Sequence, residues 1–241
     1  MRIIVKLQLE RPELPKDFRP VFVSFIKNNL TKYGQLFFDE YYKDRNTIAK
    51  RFTFGVRMNR PQFKQNHIYL GGDIITFTLS TADLKEGAIL YNSIVENKAA
   101  DFPLPNRNKM KILTVKTEML PKIEMNEIVI KMLSPLVIRE HDRSSNVDTY
   151  IDCTCEHFAE SVKRIVQGQI EIFGLQECLI NGFSILPVKA KKTVITTFDY
   201  HIDASLGVFK LNGCSELLDF LYHAGLGSRR SQGFGMFEVL A

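Results

Sequence analysis

The sequence has no apolar run that approaches the roughly 18 residues of a membrane-spanning helix. Its opening residues, MRIIVKLQLE, lack the long apolar stretch and the small-residue cleavage site of a secretory signal. The four cysteines are irregularly spaced, and Cys153 and Cys155 lie closer together than the cysteine pairs of zinc fingers. We therefore expect a cytoplasmic protein with reduced thiols, without a structural metal, a cofactor or a membrane partner.

What the sequence does have is an uneven distribution of charge. Residues 1–118 contain 20 basic and 12 acidic side chains, whereas residues 119–241 contain 12 and 15. The excess is concentrated in residues 11–64, with 12 basic and five acidic side chains. This asymmetry fits either a polyanionic partner lying against the first half or a solvated basic face.

Hydrophobic periodicity predicts the order strand, helix, strand, strand, helix, strand in the first half. The two strands before the second helix flank Gly71-Gly72-Asp73, which fits a hairpin or a bulge, and Ser80 or Thr81 is the expected cap of that helix. The predicted elements are strand Ile3–Leu9, a helix through Phe22–Leu30 ending at Gly34, a short helix Gln35–Tyr42, strands Phe52–Met58, Ile68–Leu70 and Ile74–Leu79, a helix through Leu84–Ile94, and strand Lys111–Leu120.

The second half repeats this order without visible sequence similarity to the first. Its predicted elements are strand Glu127–Leu133, helix Glu156–Phe173, strands Gly182–Lys189, Thr193–Tyr200 and Gly207–Leu211, helix Ser215–His223 and strand Phe234–Leu240. The fold class is therefore α+β, with two tandem ferredoxin-like (RRM-like) βαββαβ domains. Leu120-Pro121 favours a boundary between residues 1–120 and 121–241.

The C-terminus is rich in glycine and reads GLGSRRSQGFGMFEVL over residues 225–240. The pattern differs from a Walker loop, because no Gly-Lys dipeptide occurs, and from a dinucleotide-binding loop, which needs glycine at position 230. Such a loop either cradles phosphate oxygens with backbone N–H groups or is a hairpin loop with bulge glycines. The candidate phosphate-binding residues are Gly225, Gly227, Ser228, Arg229, Arg230, Ser231, Gly233 and Gly235.

The stretch from Lys191 onward resembles the C-terminal signature of the CRISPR-associated endoribonucleases that cut precursor CRISPR RNA within its repeats. Ser134-Pro135-Leu136-Val137-Ile138 is similar to the opening of that family's second domain. The resemblance implies CRISPR repeat RNA as the partner, with further effector subunits and a homodimer as additional possibilities. It also implies metal-independent cleavage in which a ribose 2′-hydroxyl attacks the adjacent phosphate.

This chemistry needs a base, an acid and cations around the phosphorane. Many family members carry a histidine just after the first helix, but here no histidine lies in residues 20–50, and Tyr42 or Asp44 stands near that position. Lys50 matches the family's basic residue before the second strand, and Lys27 stands near the place of a tyrosine or lysine, so the predicted catalytic group is Lys27, Tyr42 and Lys50. The alternatives are a solvated position for Lys27, a packing role for Tyr42 and phosphate contact without catalysis for Lys50. Lys50 would stabilise the phosphorane or protonate the leaving oxygen, while Tyr42 or Lys27 would orient or deprotonate the nucleophile. A lysine base needs a pKa depressed by burial or by neighbouring cations.

Arg51 and the cluster Lys189, Lys191 and Lys192 are further candidate contacts to RNA phosphates. His141 and His201 lie in polar segments that look like loops, and they reach the cleft only if folding brings them there. The missing histidine also favours an alternative, a catalytically inactive repeat-RNA-binding paralogue or a structural subunit of a guide-RNA complex. A nucleotide enzyme that uses the glycine loop is a weaker third possibility.

Overall fold

The computed structural model describes residues 1–42, 50–142, 144–198 and 200–241. The elements of the first half are β1 (Arg2–Leu9), β2 (Glu13–Pro15), α1 (Arg19–Tyr33), α2 (Gln35–Tyr42), β3 (Phe52–Arg57), β4 (Gln62–Phe63), β5 (His67–Tyr69), β6 (Ile74–Thr81), α3 (Leu84–Glu96), β7 (Phe102–Leu104) and β8 (Asn108–Glu118). Those of the second half are β9 (Glu127–Met132), β10 (Ile138–Asp142), β11 (Val147–Ile151), α4 (Phe158–Ile172), β12 (Ser184–Thr197), β13 (Tyr200–Asn212), α5 (Ser215–Ala224) and β14 (Phe237–Val239). Short 3₁₀ helices span Glu177–Ile180 and Arg230–Gln232.

The first half is built on an antiparallel sheet with the strand order β3-β6-β1-β8-β7. Alternate residues of β1, namely Ile3, Val5, Leu7 and Leu9, are buried on the face that carries helices α1 and α3. Phe22 and Phe77 stack in this core with ring centroids 5.3 Å apart. The period-two pattern of β1 therefore reports correctly which of its side chains enter the core.

The second half contains an antiparallel sheet with the strand order β12-β13-β9-β14. Its core is a separate cluster in which Val162 and Val166 of α4 and Leu217 of α5 pack against sheet residues such as Ile130 and Phe209. Among the described residues, no helix has both the length and the apolar character needed to cross a membrane.

The three strands predicted between residues 182 and 211 are wrong, because the structure has two long strands there. β12 and β13 pair continuously from Ser184↔Asn212 to Thr197↔Tyr200, with one irregularity near Pro187. Between Ile185 and Thr197 no side chain of β12 is fully buried, and its three lysines are exposed, so this part lacks the hydrophobic alternation by which a strand is recognised. The β10–β11 hairpin, which contains His141, also lies where the sequence reads as a loop.

Two further predictions for the first half are wrong. Gly71-Gly72-Asp73 does not close a hairpin, because β5 pairs with β2 and β4, while β6 belongs to the main sheet. Helix α3 is capped by Asp83, whose carboxylate accepts hydrogen bonds from the N–H groups of Lys85 and Glu86. The expected caps, Ser80 and Thr81, instead extend β6.

Polar contacts join the two halves. The Thr53 hydroxyl donates to the Phe234 carbonyl at 2.7 Å, and the Arg2 guanidinium donates to the Phe237 carbonyl at 2.6 Å. Asp17 accepts hydrogen bonds from the Thr197 hydroxyl and the Phe198 N–H. These bonds fix how the halves meet, and a cleft lies at this junction.

We expect Thr53→Val to lower the free energy of unfolding by about 1–3 kcal/mol, because the substitution keeps the volume but leaves the buried Phe234 carbonyl without its partner. Thr117→Val, on an exposed position of β8, is the matched control and should change stability by less than about 0.5 kcal/mol. Equal midpoints in denaturant titrations of the two variants would contradict this role of Thr53.

Candidate functional site

A cleft of about 460 Å³ lies where the glycine-rich loop and helix α4 approach the residues that precede β3. None of the described residues that line it is acidic. Its basic side chains are Lys50 from the first half and Arg139, Arg164, Arg229 and Arg230 from the second. A concave surface of one charge sign concentrates ions of the opposite sign, so this cleft suits an anionic ligand.

The structure brings together the three side chains predicted to be catalytic. Helix α1 supplies Lys27 and helix α2 supplies Tyr42, while Lys50 comes from the segment before β3. The ammonium nitrogens of Lys27 and Lys50 lie 4.8 and 4.6 Å from the centre of the Tyr42 ring. Such distances are those of cation–π contacts, which hold both lysines against one phenol. Lys50 also lines the cleft.

The surroundings of this group alter its acid–base properties. Burial lowers the pKa of the Lys50 ammonium group and the charge of Lys27 lowers it further, while Glu86 acts in the opposite direction. Burial raises the pKa of the Tyr42 hydroxyl above its ordinary range, and the charge of Glu86 adds to this. Tyr42 is therefore a neutral phenol at physiological pH, which suits it to donate a hydrogen bond and not to remove a proton.

A buried carboxyl group at this site, that of Glu86, was not predicted from the sequence. The side chain is only 4% exposed, accepts a 2.6 Å hydrogen bond from the Thr81 hydroxyl, and also accepts one from the Arg51 N–H. Burial raises its pKa to about 7. From the sequence alone, an acidic residue in the first turn of a helix indicates only a favourable interaction with the helix dipole. Its burial is evident only from the tertiary structure.

The glycines of the C-terminal loop serve close packing. All four have positive φ, and a Cβ at Gly235 would lie 2.0 Å from the Leu226 carbonyl oxygen. A Cβ at Gly233 would lie 2.5 Å from the Phe54 ring. The N–H groups of Gly225, Gly227, Gly233 and Gly235 donate to acceptors within the protein. The N–H groups of these four glycines are therefore already bonded within the protein, and the glycines allow the loop to pack tightly against its surroundings. Phosphate binding by the loop stays a prediction.

The two loop arginines occupy different environments. Arg230 is 9% exposed, donates to the Ala224 carbonyl at 2.9 Å and lies over the Phe173 ring. Burial lowers its pKa to about 10. Arg229 lies over the Tyr150 ring and donates to the Tyr150 hydroxyl. The side chains of Ser228 and Ser231 line the cleft beside them.

The other predicted basic contacts lie outside the set of residues that line the cleft. Arg51 pairs with Asp83 at 3.0 Å. Lys192 lies 2.7 Å from Asp203 and 3.1 Å from Asp152, and the hydrogen bond that it donates to Asp203 is the main reason that its pKa is raised to about 12.

Lys189 and Lys191 are exposed on strand β12. Their contact with RNA stays a prediction, as does that of Arg51 and Lys192. Asp44, the other residue considered for the place of the family histidine, lies outside the described residues.

Within the described ranges, no three histidine, cysteine or carboxylate side chains form a group that could hold a metal ion. His141 and His201, which the sequence places in loops, lie in strands β10 and β13. Neither histidine lines the cleft.

Comparison with known proteins identifies related chains. The family model for the CRISPR associated protein Cas6, C-terminal, matches residues 118–239, a little over half of the chain. The CRISPR-associated endoribonuclease Cas6 1 of Methanocaldococcus jannaschii is 28% identical over 153 residues. That match spans 60% of this chain and 59% of the relative.

Solved structures show the same fold. A Cas6-related protein of Pyrococcus furiosus gives a TM-score of 0.86 at 20% identity, over 100% of this chain and 98% of its own. A RAMP protein that binds different RNA substrates gives 0.83 at 21% identity, over 100% of both chains. A Cas6 product complex gives 0.70 at 14% identity, over 99% of both chains.

The buried Glu86 predicts a pH dependence of stability. Its pKa rises from 4.5 in the unfolded chain to about 7 in the folded protein, so folding favours the protonated form. This contribution is fully present below pH 4.5 and is lost as the pH rises through 7. We expect the stability of Glu86→Gln relative to the parent protein to increase by about 3 kcal/mol from acidic pH to pH 8. Denaturant unfolding at several pH values measures it, and a pH-independent difference would contradict it.

The loop glycines predict a contrast between two alanine substitutions. Gly235→Ala should cost at least about 2 kcal/mol, because of its positive φ and the overlap with Leu226. In helix α4, a Cβ at Gly168 meets no atom within 4 Å, so Gly168→Ala should stabilise the protein by about 0.5–1 kcal/mol. Thermal unfolding of both variants tests this, and a Gly235→Ala variant as stable as the parent would contradict the packing role.

Proposed function

The chain belongs to the CRISPR-associated Cas6 family, and from this membership we propose that it is a metal-independent endoribonuclease that cuts CRISPR repeat RNA. Each cut would leave a 2′,3′-cyclic phosphate on the upstream fragment and a 5′-hydroxyl on the downstream fragment. Successive cuts in neighbouring repeats would release mature guide RNAs. The observation that carries the proposal is the position of Lys50, which lines a basic cleft and lies with Lys27 against the Tyr42 ring.

The fold supports this proposal. Each half has a main sheet in which four strands and two helices follow the order strand, helix, strand, strand, helix, strand. The first and third strands of this order are central in the sheet: β1 and β6 in the first half, β9 and β13 in the second. We infer two tandem ferredoxin-like domains, with the boundary between residues 120 and 121. The separate cores on either side of the boundary support this division.

The chemistry requires in-line attack of a 2′-oxygen on phosphorus, with loss of the 2′-hydroxyl proton and protonation of the leaving 5′-oxygen. Lys50 is the proposed proton donor, because its lowered pKa makes the ammonium group a stronger acid than an ordinary lysine. Lys27 would stabilise the charge of the phosphorane. Tyr42 would act indirectly, because its hydroxyl is buried, while its ring contacts both ammonium groups. It would orient the nucleophile by positioning Lys27 and Lys50.

RNA binding would use the arginines of the cleft together with Ser228 and Ser231. Guanidinium groups form bidentate hydrogen bonds with phosphate, so Arg229 and Arg139 suit contacts with the RNA backbone. Stem contacts through Lys189 and Lys191, a homodimer and association with other effector subunits remain predictions.

A second candidate function is an RNA-binding relative that does not cut, acting as a paralogue or as a structural subunit of a guide-RNA complex. It is favoured by the absence of any histidine in residues 20–50. These two functions are distinguished by incubating the protein in EDTA with repeat RNA from the same genome. A parallel reaction uses the same RNA with a 2′-deoxy sugar at the cut. Cleavage of the normal RNA alone supports the enzyme, whereas salt-dependent binding without cleavage supports the second candidate.

We expect Lys50→Gln to slow cleavage about 100-fold to 10,000-fold, with a change in RNA affinity of less than about tenfold, because the lost proton donor acts on the chemical step. The measurement is the single-turnover rate together with the dissociation constant. Lys32→Gln, on an exposed position of the same basic first half, is the charge-matched control and should cleave at the parent rate. Equal rates for the two variants would remove Lys50 from the mechanism.

A further inference from the structure

One face of the hairpin formed by β10 and β11 places charged side chains next to the cleft. In the hairpin register, Arg139 lies opposite Tyr150, and His141 lies opposite Asp148. Because directly paired residues and residues two apart project to the same side, the four side chains share one face. We call these four residues the hairpin face.

Asp148 organises this face. One of its oxygens lies 2.9 Å from Nδ1 of His141, and the other lies 3.3 Å from the Arg139 guanidinium. The Arg229 guanidinium is 3.8 Å from that second oxygen and donates to the Tyr150 hydroxyl. A single carboxylate thus contacts two guanidinium groups and one imidazole, which leaves an excess of positive charge held in a defined geometry.

The hairpin face is continuous with the cleft. The Arg139 N–H donates to the Ser228 hydroxyl at 3.2 Å, which ties β10 to the glycine-rich loop. Arg139 and Arg229 both line the cleft that contains Lys50. His141 is two residues farther along β10, so the basic surface extends from the cleft onto the hairpin.

We propose that the hairpin face binds the phosphate backbone of the RNA strand where that strand leaves the cleft, with Arg139 and His141 as the contacts. Asp148 is a positioning residue that holds both side chains. The proposal rests on the proposed function, because it extends the path of the same RNA beyond the site of cleavage.

Charge balance and exposure favour a phosphate ligand over a solvated ion-pair cluster. Lys192 on the neighbouring hairpin is shared by two carboxylates, so its charge is already balanced. Asp148, in contrast, is a single carboxylate shared by two guanidinium groups, that of Arg139 on the hairpin face and that of Arg229 in the glycine-rich loop. The side chains of Arg139 and His141 are 42% and 41% exposed, so each reaches its carboxylate and still presents an edge to an external ligand. Contacts of these two side chains with backbone phosphates would add affinity for RNA without recognising its base sequence.

The test is the affinity of the whole protein for two synthetic RNAs, measured over a range of salt concentrations. The first RNA is a single repeat from the same genome, extended by about ten nucleotides on each side. The second is the same repeat trimmed to the nucleotides around the cut. For the extended RNA, Arg139→Gln and His141→Gln should each weaken binding about threefold to tenfold, and Arg139→Gln should reduce the salt slope by about one. For the trimmed RNA, His141→Gln should bind like the parent, because His141 does not line the cleft. Arg139→Gln should weaken binding of both RNAs, because Arg139 also lines the cleft.

Lys131→Gln is the matched control, because Lys131 lies in the same half, is half-exposed and pairs with one carboxylate, that of Glu238. It should bind both RNAs like the parent. Asp148→Asn adds a sharper test: a general field effect would tighten binding when a negative charge is removed, whereas loss of positioning weakens it. Identical behaviour of Arg139→Gln and Lys131→Gln, or tighter binding by Asp148→Asn, overturns the proposal. Failure of the parent protein to bind either RNA overturns the proposed function itself.

Discussion

The close approach of the glycine-rich loop to strand β3 is the constraint on which the cleft depends. Gly225 faces Thr53 and Gly233 faces the Phe54 ring at distances that leave no room for a Cβ. Any side chain there would push the two halves apart. Because the loop can come this close, the Thr53 hydroxyl reaches the Phe234 carbonyl, and the loop holds its arginines near Lys50.

Two buried arginines at this junction, Arg19 and Arg230, contact carbonyl oxygens and aromatic rings. The Arg19 guanidinium donates to the Gly233 carbonyl and lies between the rings of Phe18 and Phe234, at 4.8 and 4.4 Å. Arg230 and Phe173 follow the same pattern. Rings and carbonyls satisfy a guanidinium without cancelling its charge, so these residues can be buried while the junction stays electropositive. Among the described residues, neither Arg19 nor Arg230 forms an ion pair, and burial lowers the pKa of each guanidinium to about 10.

The sequence predicts the helices and the core strands well, because hydrophobic periodicity depends on which side chains each element buries. It fails where tertiary contacts replace that pattern. The lysine-rich part of β12 is held by its partner β13 and has little apolar core to face, so periodicity breaks a single strand into pieces. The cap of α3 is missed because Ser80, Thr81 and Asp83 are all plausible cap residues, and pairing in β6 uses the first two.

The residues of the candidate site were likewise predicted only in part. Lys27, Tyr42 and Lys50 come from separate segments, and the family resemblance, not their spacing, identified them as a group that the structure then brings together. Glu86 was missed, because a carboxylate in a first helical turn is normally solvated and its burial depends on β6 and Arg51. The glycine spacing correctly marked the loop as unusual, but it does not distinguish N–H groups that face a ligand from backbone that packs against protein.

Two lysines sharing one phenol also indicate how the site could work without a histidine. Their ammonium groups repel each other, and the lowered pKa of Lys50 reflects burial first and that repulsion second. An RNA phosphate in the cleft would relieve the repulsion, and a phosphorane, with its additional negative charge, would relieve it further. Electrostatic stabilisation that is stronger in the transition state than in the bound substrate accelerates the reaction, whereas equal stabilisation of both would only tighten binding. Under the proposed function, the strain between Lys27 and Lys50 in the free protein is therefore part of what makes the cleft selective for the transition state.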